Sequence, residues 1–163
     1  LHPLLFHLFK YITQNIIMFF KLPAVFATLS VLLGAAAATP TPYTDFVTFD
    51  TTYDSGDLSL NNVACSNGDN GLVTKGFTTL NSLPSFPYIG GAHVVSGWNS
   101  PQCGSCWGLT YEGTTIYVTV VDTAGVGFNI ARSAMQVLAG DEGVQTGKVS
   151  AQIAPADAWH CGL

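Results

Sequence analysis

The sequence predicts a small, mainly β domain with short helices, its strands closed on themselves and held by disulfides. Three observations carry this. β-Branched and aromatic runs alternate with Gly, Asn, Asp and Pro clusters, the longest run is apolar on both faces, and four cysteines follow an N-terminal leader.

From Met18 the chain reads Met18-Phe19-Phe20-Lys21, then an uncharged run from Leu22 to Leu33, then Gly34-Ala35-Ala36-Ala37-Ala38. A basic start, an apolar middle and a small-residue end are the parts of a secretory signal peptide, with cleavage expected after Ala38. A membrane anchor fits poorly. Lys10 and Lys21 interrupt the apolar stretch, and Leu22 to Leu33 is short of the roughly 20 residues a spanning helix needs. Residues 1–17, which open on Leu, are read as a non-coding or gene-model extension, and residues 18–38 as the signal peptide. Residues 39–45 are read as a flexible lead, because Thr39-Pro40-Thr41-Pro42 favours extended backbone without ladder hydrogen bonds, and residues 46–163 as one domain. The expected location is extracellular.

Strand signals follow in order. Phe46-Val47-Thr48-Phe49, Trp107-Gly108-Leu109-Thr110-Tyr111, Ile116-Tyr117-Val118-Thr119-Val120-Val121 and Val149-Ser150-Ala151-Gln152-Ile153 are the strand-like runs. In the longest, Ile116, Val118 and Val120 share the face expected to pack the core, while Tyr117, Thr119 and Val121 share the other. Two short helices are expected, near Thr78 to Leu83 and from about Ser133 to Ala139, the second ended by Gly140. No repeat or second domain is visible.

Beyond the leader, Lys75, Arg132 and Lys148 face all ten acidic residues, a net charge of −7 with His neutral. Three scattered cations make no basic patch, which excludes nucleic acid and anionic membranes as partners and leaves neutral polymers. In an oxidising compartment Cys65, Cys103, Cys106 and Cys161 read as two disulfides, with three connectivities open. Zinc would want paired knuckles, and a thioredoxin-like site would want a helix where the strand-like Trp107 to Tyr111 stands.

The segments Cys65-Ser66-Asn67-Gly68-Asp69, Phe86-Pro87-Tyr88-Ile89-Gly90-Gly91, Gly97-Trp98-Asn99-Ser100-Pro101, Cys103-Gly104-Ser105-Cys106-Trp107 and Val121-Asp122-Thr123-Ala124 resemble, in order and near spacing, the cerato-platanin family of small secreted fungal proteins. The resemblance implies a six-stranded double-ψ β-barrel related to the first domain of expansins, with bridges Cys65 to Cys103 and Cys106 to Cys161. It further implies residence at the fungal cell wall, elicitation of plant defence through a host receptor, and self-assembly at hydrophobic surfaces.

One barrel hosts hydrolases, transglycosylases and binders, so function has to come from the site. Asp122 ends an apolar strand and enters a turn, where a carboxylate meets solvent at a barrel rim. By resemblance it sits at an aspartate shared with expansins, and Asn129 at a position linked to oligosaccharide contact. Gly127 and Tyr53 are weaker candidates. The expected ligand is a chitin-type N-acetylglucosamine oligomer or related wall glycan, and Asp122→Ala is expected to weaken its binding with the melting temperature nearly unchanged.

Glycoside hydrolysis needs two carboxyl groups about 5 to 10 Å apart, and no partner for Asp122 is evident. Asp50, Asp54, Asp57, Asp69, Asp141 and Glu142 read as solvated turn carboxylates. His93 and His160 lack a positioned nucleophile, there is no Gly-x-Ser-x-Gly elbow, and no metal or cofactor motif is present. A catalytic role is therefore not expected. The competing readings are a weak glycan hydrolase or transglycosylase on the same barrel, and a self-assembling interfacial protein. Trp98, Trp107 and Trp159 lie beside cysteines and are expected to pack on the disulfides, leaving Tyr43 and Tyr53 as the aromatics expected at the surface.

Overall fold

The computed structural model describes residues 40–163; the expected signal peptide, the segment before it and Thr39 of the expected lead lie outside the described residues. Six strands close into a barrel: β1 (Tyr43–Asp50), β2 (Ile89–Ala92), β3 (Cys106–Tyr111), β4 (Thr114–Thr123), β5 (Phe128–Ala131) and β6 (Lys148–Ala156). Their order around the barrel is β1-β5-β2-β4-β3-β6. β1 with β5 and β2 with β4 are parallel, and the other four pairings are antiparallel. This is the double-ψ barrel that the resemblance implied. Closure leaves no free sheet edge.

Pattern and burial agree most cleanly on β6, where Val149, Ala151 and Ile153 are buried and Lys148, Ser150 and Gln152 are exposed. In β4 the expected core face of Ile116, Val118 and Val120 is buried. Thr119 and Val121, opposite it, are fully buried as well. The Thr119 hydroxyl is satisfied by Ser85 at 2.7 Å, which removes the cost of burying it. The register between β2 and β4 shifts at Gly90/Gly91, so that Gly90 faces Val120 while Gly91 faces Asp122. That bulge sets the rim geometry.

β1 begins earlier than expected. Tyr43 pairs with Ile153 and Asp45 with Ala151 of β6, so Tyr43 to Asp45 belong to the barrel and not to a flexible lead. The ladder supplies the hydrogen bonds that the prolines before it cannot make.

Helix α1 (Arg132–Thr146) contributes Ala134, Met135 and Leu138 to the barrel core. It breaks at Gly140, at φ 58° and ψ −153°, and its second part ends at Gly147 in the left-handed conformation. The expected end at Gly140 is thus a kink. Near Thr78 to Leu83 the chain makes a single 3-10 turn, Leu80–Ser82. The irregular segment between β1 and β2 buries Leu60, Val63, Leu72, Leu80 and Leu83 in the same core. Cys65 to Cys103 and Cys106 to Cys161 are bonded, with sequence separations of 38 and 55. Loops of that length are worth up to roughly 4 kcal/mol each in the chain-entropy account.

Candidate functional site

Asp122, Gly91, Asn129 and Thr48 stand in register on four adjacent strands, β4, β2, β5 and β1. At about 4.8 Å per strand step the row spans about 14 Å. Asp122 and Asn129, named from separate stretches of sequence, are brought together with a side-chain-free gap between them. A Cβ on Gly91 would collide with the Thr123 carbonyl oxygen and lie 3.2 Å from the Tyr53 hydroxyl. The gap therefore lets β2 approach β4 and admits the tyrosine.

Asp122 is tightly held. Its Oδ1 accepts the backbone N–H of Ala64 at 3.0 Å and of Thr123 at 2.8 Å, and its Oδ2 accepts the Tyr53 hydroxyl at 3.3 Å. The Ala64 bond anchors the segment leading to Cys65 onto the end of β4, the Tyr53 bond anchors the 3-10 turn Thr51–Asp54, and the Thr123 bond fixes the strand end itself. They also overturn the expectation that Asp122→Ala leaves the melting temperature nearly unchanged, since two amides would lose their acceptor. One lone pair of Oδ2 is left for a further donor.

Tyr53 is not at the surface as expected. It is 7% exposed, folded under the rim by the 3-10 turn Thr51–Asp54. Burial first, then the Asp122 charge and hydrogen bond, then the Asp50 charge, push its phenol well above the ordinary value of 10.0. Asp50 itself is held below the usual carboxylate range by the backbone N–H of Thr52.

Asn129 is half-buried, and its Oδ1 accepts the Thr48 hydroxyl at 3.0 Å. Its Nδ2 has no intramolecular partner among the described residues. Gly127, at φ 55°, sits where a Cβ would strike the Phe46 carbonyl oxygen, so its first role is close packing of the β5 entry on β1. Its carbonyl accepts the His93 N–H at 2.9 Å, with His93 Nδ1 at 3.3 Å and the Asp45 carboxylate 3.7 Å from that ring nitrogen.

Asp54 departs from the turn-carboxylate expectation. It accepts the N–H groups of Arg132 and Ser133, each at 2.9 Å, and the Ser133 hydroxyl at 2.6 Å, capping α1 from 78 residues away. Ala131, at the N-cap, has no side chain able to do so. Sequence offered no signal for this contact.

Two of the three tryptophans are exposed against the expectation of packing, and the third packs on an aromatic ring. Trp107 is buried, its ring 5.6 Å from that of Phe128, but Trp98 is 65% and Trp159 68% exposed. The Trp98 indole N–H is tied to Asn67 Oδ1 at 2.7 Å, and Trp159 stacks on His160 at 3.5 Å. Neighbouring a cysteine in sequence does not turn a ring towards the disulfide. Among the described residues no group of three or more His, Cys, Asp or Glu could hold a metal, and no helix is long and apolar enough to cross a membrane.

The family model described as Cerato-platanin matches residues 46–163. The allergen Asp f 15 of Aspergillus fumigatus is 45% identical, covering 86% of this chain and 97% of its own. The heat-stable 19 kDa antigen of Coccidioides immitis is 39% identical, covering 85% and 98%. Among solved structures, cerato-platanin 3 of M. perniciosa superposes with a TM-score of 0.71 at 39% identity, covering 74% of this chain and all of that one. The fungal elicitor cerato-platanin superposes at 0.65 and 36% identity, covering 71% and 95%.

Proposed function

Because the chain belongs to the cerato-platanin family, we propose that it is a secreted, non-catalytic glycan-binding protein of the fungal cell wall. It takes chitin-type N-acetylglucosamine oligomers along the row of Asp122, Gly91, Asn129 and Thr48. The observation that carries this reading is the unpartnered Asn129 Nδ2 in one cross-strand row with Asp122, which keeps one Oδ2 lone pair. A donor and an acceptor about two strand steps apart suit the hydroxyls and amides of a neutral sugar, and competition with polymer-to-polymer hydrogen bonds loosens packing, as in expansin-like action.

The row carries one carboxylate, Asp122, whereas cleavage of a glycosidic bond calls for an acid and a base, which supports binding over cleavage. Elicitor action is carried by family membership and by the relative named as a fungal elicitor.

Calorimetry with N-acetylglucosamine hexamers tests the site. Asn129→Ala should weaken binding about tenfold, or ~1.4 kcal/mol, with an unchanged melting temperature. Asp122→Asn keeps an acceptor for the two amides and should weaken it similarly. Affinities equal to the parent protein's in both variants would sink the assignment. Infiltration of the purified protein into leaves tests elicitation, and absence of a defence response overturns that part.

A further inference from the structure

On the opposite side of the barrel a second four-residue row crosses the strands: Thr44 (β1), Gln152 (β6), Thr110 (β3) and Thr115 (β4), again in register. Thr44, Gln152 and Thr115 are exposed and Thr110 is half-buried. Thr110 and Thr115 share one hydroxyl contact at 2.8 Å, while the Gln152 amide and the Thr44 hydroxyl have no intramolecular side-chain partner among the described residues. Beside this row runs another of Tyr117, Gly108 and Ala154, a low floor with an aromatic at one end. The Tyr117 ring stacks on His160 at 4.0 Å and His160 on Trp159 at 3.5 Å, so a wall of stacked rings leads from Tyr117 and His160 out to the exposed Trp159.

Three depressions adjoin on this face. One of about 450 Å³ contains Thr110, Thr115, Tyr117, Gln152 and His160. A second, of about 280 Å³, shares Thr115, Tyr117 and His160 with it, and a third, of about 530 Å³, shares Thr110 and Gln152. Shared walls make an elongated track and not three separate sites. No Lys or Arg lines any of them, whereas Asp157 lines the first and Glu112 the third.

We infer that this track is a second binding surface, for a linear, neutral polysaccharide. The charge selects that occupant: an anionic polymer or phospholipid meets two carboxylates and no cation, and a second copy of this acidic chain meets like charge. Hydroxyl and amide side chains in register supply donors and acceptors across three strand steps, about 14 Å, and the ring wall supplies an apolar face for a sugar. The rim row and the track lie on different arcs of the barrel, so each can be impaired without the other. The inference does not depend on the rim reading.

Adsorption of the purified protein to insoluble chitin, microcrystalline cellulose and immobilised polygalacturonate tests it, with N-acetylglucosamine trimer affinity measured in parallel. Trp159→Ala and the double variant Gln152→Ala with Thr110→Val should each lose about tenfold in adsorption to chitin or cellulose while keeping trimer affinity. Asn129→Ala should show the converse. Melting temperatures of all variants confirm folding. Adsorption of both track variants equal to the parent protein's on chitin and cellulose overturns the inference, as does comparable adsorption to the anionic polygalacturonate. So does a Trp159→Ala effect confined to dimer content in sedimentation, which would mark a self-contact.

Discussion

The two cross-strand rows differ in how their polar groups are engaged. On the β4-β2-β5-β1 side, Asp122 accepts three hydrogen bonds and Asn129 accepts one from Thr48, so the rim is largely built into the fold. On the β4-β3-β6-β1 side, one hydroxyl contact links two threonines and the rest face solvent. The rim row is therefore an anchor with a small reserve for a ligand, and the outer row is reserve with little structural duty. A residue type that looks chemical in sequence, such as the carboxylate of Asp122, can be mainly structural, while bland threonines and a glutamine stay available.

The rim row contains Gly91, and the row beside the outer one contains Gly108; substituting them should separate the two sides most sharply. Gly91→Ala drives a Cβ into the Thr123 carbonyl and should cost more than about 3 kcal/mol in denaturant unfolding, because backbone and not a flexible side chain stands in the way. Gly108→Ala meets the Tyr117 ring at 3.4 and 3.7 Å and Ala154 O at 3.8 Å, and should change stability by less than about 0.5 kcal/mol. Equal costs at the two positions would erase the distinction.

Next in size is Asp122→Ala. Loss of an acceptor for the Ala64 and Thr123 amides should cost about 2–3 kcal/mol and visibly lower the melting temperature. Gln152→Ala, its counterpart across the barrel, should leave the melting temperature unchanged. Removing the third anchor is milder: Tyr53→Phe deletes one long hydrogen bond and should cost about 1 kcal/mol at neutral pH.

The same variant has a pH signature. The Tyr53 phenol is raised in the folded state, so its contribution is fully present below the ordinary value of 10.0 and is lost as pH rises beyond it. Tyr53→Phe should therefore flatten the alkaline fall in stability above pH 10.0, as read by chemical denaturation at several pH values. An unchanged slope would contradict the buried, Asp122-bound placement.

Much of the barrel was legible in sequence because alternation reports burial directly: Val149, Ala151 and Ile153 inside β6, and Ile116, Val118 and Val120 inside β4. The cysteine flanks were legible too, and the pairing implied by resemblance is the one formed. The rim pair Asp122 and Asn129 was named, yet its register was not readable, since the β-bulge at Gly90/Gly91 decides which residue Gly91 faces. The outer row was missed because Thr44, Thr110, Thr115 and Gln152 come from four strands with no motif between them. The exposed Trp98 and Trp159 and the buried Tyr53 ran against expectation for one reason. Sequence neighbours fix where a backbone goes, whereas a ring's direction depends on partners such as Asn67, His160 and Asp122 that only folding delivers.

By itself, then, the sequence determined a small β domain with a net charge of −7 over residues 40–163, two disulfides and a family, because composition, alternation and motif flanks are local properties of the chain. Tertiary structure alone decided that Asp54 caps α1 across 78 residues, that Asp122 is anchored before it is available, and that four modest side chains align on the far face. Each depends on strand register and barrel closure, which bring together residues too far apart in the chain for any local pattern to relate.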